Sequence, residues 1–204
     1  MPARELHTAG IVLSASPSGE RFLRLHLFSA DEGRVVAMWR RSSQTSGGGP
    51  DLFDQAVFHL ESSSQSGAWF LKEYRLEHRR VGIARRYQTL VLATRLSELL
   101  WRNLQHTEFF APAAQLATEA LSAFEDSPLP HCIYLKTLYR YAADEGYAVR
   151  QQWLRHLAKS EQDRAKAILG KPLIELLPEQ EPIAKSLIDK LEHWLRADTD
   201  IIVP

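Results

Sequence analysis

The feature that most constrains this chain is a change of hydrophobic period near residue 80. From Leu6 to about Arg80, apolar and polar residues alternate in HTAGIVLSA, ERFLRLHLFSA, RVVAMWRR, QAVFHLESS and AWFLKEYRLEH, the signature of half-buried strands. Between them sit SPSG, DEG, SSQTSGGGPD and SSQSG, rich in residues that turn the chain. Five short strands so connected predict a small antiparallel barrel, and the OB-fold is the commonest five-stranded choice. After Val81 the period becomes helical. Leu90, Leu92, Leu96, Leu99, Leu100 and Leu104 recur at three- and four-residue steps and predict a long helix. A second helix is expected over 108–124, and a third from Pro130 to Gly146. Shorter ones follow over 150–157 and 161–169, and a last one spans 179–195. The expected fold is therefore α+β: an OB-fold barrel in residues 1–80, then an all-α helical domain in residues 81–204.

Composition bounds the function. The single cysteine, Cys132, excludes an internal disulfide framework and any multi-cysteine zinc site. No stretch reaches the roughly 20 apolar residues that cross a bilayer, and no signal peptide is legible, so a cytoplasmic location is expected. Net charge is zero. Its distribution is uneven: residues 1–86 carry roughly three more bases than acids, and the remainder roughly three more acids than bases.

Strand alternation assigns faces. In the second strand Leu23, Leu25 and Leu27 face the core and Phe22, Arg24, His26 and Phe28 the other side. In the third, Val36, Met38 and Arg40 oppose Val35, Ala37, Trp39 and Arg41; in the fifth, Trp69 and Leu71 alternate with Phe70, Lys72 and Tyr74. A face mixing rings with cations suits single-stranded nucleic acid, because bases stack on rings while Arg and Lys follow the phosphates. Candidate nucleic-acid contacts are Phe22, Arg24, His26, Arg40, Arg41, Lys72, Tyr74, Arg75, Arg79 and Arg80. The competing reading is that these rings fill the barrel's far side or its contact with the helical half.

Catalytic constellations are not evident. Gly47-Gly48-Gly49 lacks the Lys-Ser/Thr of a phosphate-cradling loop, and Pro50 has no N–H to donate. The eight histidines show no ligand pair at helical spacing, so no metal site and no cofactor are expected. Asp144-Glu145 reads as a solvated helix end and Cys132 as a small buried hydrophobe. A non-enzymatic role is expected.

Several segments carry a resemblance. SGERFLRLHLFSADEGRVVAM resembles the second and third strands of RecO proteins through Gly19, Glu20, Glu32 and Gly33, and LFDQAVFHLE is similar to that family's fourth strand. YRYAADEGYAV resembles its helix ending in a Gly-Tyr-Ala turn, here Gly146, Tyr147 and Ala148, and ILGKPLIEL its Leu-Gly-Lys-Pro-Leu segment. The resemblance implies a DNA repair and recombination mediator. Such proteins bind single-stranded DNA, anneal complementary strands, and work with RecR to load recombinase on DNA coated by single-strand binding protein (SSB). It also implies that the helical domain holds the acidic SSB tail. A tail ending in a carboxylate needs a cation beside an apolar pocket, and the candidates are Arg95, Arg102, Lys136 and Arg140. Two departures stand out. Residues 149–158 lack the cysteines of the zinc element many RecO proteins carry, and the loop after the third strand holds few cations. The alternative is a protein-interaction adapter whose barrel has lost DNA binding.

Overall fold

The computed structural model describes residues 4–41, 48–62, 68–105 and 109–204. The five alternating segments form β1 (Arg4–Ser18), β2 (Phe22–Ser29), β3 (Gly33–Arg40), β4 (Gln55–Ser62) and β5 (Trp69–His78). They close into a barrel in the order β1-β2-β3-β5-β4, every pair antiparallel except β3 with β5. That ring is the OB-fold connectivity. β1 serves two neighbours: its first half pairs with β4, its second with β2, and an irregularity between Val12 and Ser14 lets it turn the corner. Alternate residues point inward, so Val12, Leu25, Leu27, Val35, Ala37, Ala56, Phe58, Leu60 and Leu71 form one apolar interior.

The segment entering β4 is fastened from several sides. Phe53 is buried at φ 65, a left-handed conformation that costs a non-glycine residue about 1–2 kcal/mol. Its N–H donates to Val12 O, and its carbonyl accepts from Arg80 Nη1 at 2.8 Å. Upstream, Gly49 lies so close to the Trp39 indole that a Cβ would fall 2.0 Å from the ring, so only glycine fits.

The helical-period region forms α1 (Val81–Ala84), α2 (Tyr87–Asn103), α3 (Ala111–Asp126), α4 (Pro130–Asp144), α5 (Trp153–His156), α6 (Lys159–Gly170) and α7 (Glu181–Asp198). The expected start of the second helix, Glu108, lies outside the described residues; the described helix begins at Ala111. Gly146, at φ 89, follows α4 as its spacing predicts. The chain divides into two compact units that differ from a clean break after Arg80. Leu100–Gln115 groups with the barrel, while Val81–Leu99 groups with Leu116–Pro204.

Within the second unit α4 packs on α7, whose Ala184, Leu187, Ile188, Leu191 and Leu195 are buried. The N-terminus of α4 has no local side-chain cap. Glu181 of α7 supplies one instead, accepting from the His131 and Cys132 N–H groups at 3.0 and 2.8 Å. Burial opposes the charge on Glu181, but hydrogen bonds from the His131 ring and these amides prevail and hold its carboxyl below the usual value. No described helix is long and apolar enough to cross a membrane.

Candidate nucleic-acid interface

The outer side of β2, β3 and β5 is built by cross-strand pairing. Phe22 lies opposite Arg40, Arg24 opposite Met38, and Met38 beside Phe70. The Phe22 and Phe70 rings meet edge to face, with centroids 6.3 Å apart. They and Met38 line a groove of about 420 Å³, with Arg40, Lys72 and Glu61 also in its wall. Strand parity thus gathers two rings, a thioether and three cations, Arg24, Arg40 and Lys72, on one outward face. Lys72 pairs with Glu61 at 2.7 Å, whereas Arg24 and Arg40 form no salt bridge among the described residues. The Lys72 pair is half-exposed, and such a pair is worth at most about 1 kcal/mol, so an arriving phosphate can displace the carboxylate. Arg41 lies just past β3, exposed, its N–H bonded to Arg21 O. Arg75 projects from β5 beside Glu77, to which it donates at 3.3 Å.

Four expected contacts have other work. Tyr74 does not share the outer face with Phe70 and Lys72. A register shift between Leu60↔Leu71 and His59↔Glu73 inserts Lys72 as an extra residue, reverses the alternation, and turns Tyr74 onto the core beside its partner Phe58. Its hydroxyl donates to Gly48 O at 3.1 Å. Arg79 grips the fully buried Asp54 carboxylate through Nε at 3.0 Å and Nη2 at 2.7 Å, and Nη2 also donates to Gly49 O. The Asp54 hydrogen bond outweighs desolvation and raises the Arg79 pKa further. Arg80 is 3% exposed and is held by Phe53 O and Gln55 Oε1, which removes it from any surface contact. His26 is on the outer face but already stacked: the Trp101 indole lies 3.9 Å from it, nearly parallel, with Arg34 over the same indole at 4.1 Å. Burial, then Arg24 and Arg34, lower the His26 pKa, which disfavours the charged ring that would attract phosphate. Phe110 covers the β2–β3 turn, leaving no room for a Cβ at Gly33. The accessible face is therefore the Phe22–Arg40 end of β2 and β3. Residues 42–47, in the cation-poor loop after β3, lie outside the described residues.

The partner candidates separate. Lys136 and Arg140 line a 290 Å³ pocket with Leu116, Ala120, Ile133 and Leu169. Lys136 Nζ is engaged by the carbonyls of Ile168, Leu169 and Lys171 at 2.8–3.0 Å, capping the end of α6. Arg140 pairs with Glu119 at 2.6 Å and Asp144 at 3.6 Å, yet stays 48% exposed on the rim. Arg95 lies away from this pocket, bonded to buried Glu192 and over the Tyr134 ring at 5.3 Å. Arg102 is exposed and groups with the barrel unit, not with the other three.

Burial, reinforced by Glu181, pushes the Cys132 thiol up to about 12, so it stays protonated, and the neighbouring His131 ring is engaged by Glu181. What sequence spacing did not reveal is a group on β1 and β4: Glu5, His7 and His59. His7 and His59 are directly opposite in the antiparallel ladder, a relation that strand register sets and spacing along the chain does not. Comparison with family models finds no match to this sequence, and comparison with curated proteins finds none.

Proposed function

We propose that the barrel binds single-stranded DNA and that the chain is a non-enzymatic mediator of DNA repair and recombination of the RecO kind. The observation that carries this reading is the outward face on which Phe22 and Phe70 meet between Arg24, Arg40 and Lys72. Bases stack on the two rings, and the backbone follows the three cations. OB-folds hold oligonucleotides on their β2–β3 face, where this groove lies. The order of segments resembling RecO proteins adds the second half: annealing, and recombinase loading with RecR on SSB-coated DNA. The helical unit's share is the pocket beside Arg140, where an acidic tail would set its apolar residues against Leu116, Ile133 and Leu169 and its carboxylate against the guanidinium.

Fluorescence anisotropy with a labelled oligothymidine tests the first half. Binding at micromolar protein is expected in about 50 mM salt. With three phosphates neutralised, log K should fall with log salt at a slope of about −2. Absence of binding under those conditions removes the DNA role. The adapter reading would then hold, favoured by the Glu61 carboxylate already paired with Lys72 in the groove.

A further inference from the structure

The geometry points to a divalent transition-metal site on the outer side of β1 and β4, formed by Glu5, His7 and His59. Glu5 and His7 are two apart on β1 and so share a face, and His7 faces His59 across the ladder. The two imidazoles lie parallel, 4.1 Å between centroids. His59 Nε2 is buried without a hydrogen-bond partner among the described residues, and Glu5 Oε2 stands 4.0 Å from it. One ligand atom from each of the three residues lies within 4.8 Å of the others. Donors at zinc bond lengths of about 2.0–2.1 Å sit roughly 3.4 Å apart in a tetrahedron, so the three donors must draw closer and the parallel imidazoles must tilt, since an ion lies in the plane of each ring it binds. Glu5 and His7 are exposed and free to make these movements.

The surroundings favour a cation. Glu61 and Glu73 are the cross-strand partners of Glu5 and His59, with Lys72 the nearby countercharge, held by Glu61. Two borderline imidazoles with one hard carboxylate suit zinc and its first-row neighbours, and three protein ligands leave one position for water or a fourth donor. A metal bound there would satisfy the orphaned His59 nitrogen and tie β1 to β4 at the Glu5–His7 end of their ladder.

The full chain, stripped with a chelator and dialysed, is titrated with zinc chloride by calorimetry and separately with cobalt(II), followed by visible absorption. One equivalent of zinc is expected, with cobalt giving the intense bands of four- or five-coordination. His7→Ala, at an exposed position, and the milder Glu5→Gln should each weaken zinc binding by about tenfold or more, since losing even a supporting group costs that much. Circular dichroism shows whether each variant keeps its barrel. Lack of zinc uptake by the intact protein, or equal uptake by folded Glu5→Gln and the parent, overturns the site. Equal uptake would place the metal elsewhere, for instance at His156 and His193, which line a separate cavity.

Discussion

Replacing Phe22 and Phe70 together by alanine is expected to weaken oligothymidine binding at least about 30-fold, because each stacked base is worth about 1–3 kcal/mol. The rings are partly exposed, meet edge to face, and are not among the residues that form or pack against the barrel's apolar interior. The melting temperature should therefore move little, as for most substitutions away from a core. Trp69→Ala is the contrasting change. Trp69 packs against the barrel interior opposite Ala37, so its loss should lower stability and affect DNA only through the fold. Anisotropy and thermal melting on the same samples separate the two effects. A double variant that binds like the parent would mean that the rings only cover the barrel wall.

Arg79→Ala should destabilise the barrel by about 3 kcal/mol, because it leaves the Asp54 carboxylate buried without its cation. Asp54 keeps one bond, from the Asp51 N–H at 2.9 Å, which softens the loss without cancelling it. The guanidinium also fastens Gly49, so the whole entry to β4 loosens with it. Adding Asp54→Asn to Arg79→Ala should restore part of the stability, since an amide needs no countercharge. Urea denaturation of the parent, the single and the double variant reads this directly. An unchanged midpoint, with DNA binding lost, would return Arg79 to the phosphate contacts.

Much of the architecture was legible because its signal is periodic. Alternation over Phe22–Ser29 assigned Leu25 and Leu27 to the interior, where they lie; over Gly33–Arg40 it separated two faces, and the barrel shows that Val35 and Ala37 are on the inner one. Helical spacing placed the last helix and its buried Leu187, Leu191 and Leu195. The misreadings share a cause: each depends on a partner that sequence distance hides. A single inserted residue in β5 reversed the side of Tyr74. The cluster Arg75, Arg79, Arg80 reads as a basic patch until Asp54 and the Phe53 carbonyl, more than one strand away, claim two of its members. His26 lost its free face to Trp101, a residue from the helical period that groups with the barrel. The His7–His59 pair was invisible because β1 and β4 meet only when the barrel closes. Phe22, Arg24 and Lys72 on the candidate face follow from local alternation, whereas the choice of Arg40 over Arg41 for that face needed the β2–β3 register.

The most direct measurement is photocross-linking of the full chain to an oligothymidine carrying iodouracil, followed by mass spectrometry of the attached peptides. Attachment is expected within β2 and β5, at or beside Phe22 and Phe70, fading as salt is raised. Attachment confined to the helices of Leu116–Pro204, with β2 and β5 untouched at saturating oligonucleotide, would contradict DNA binding on that face.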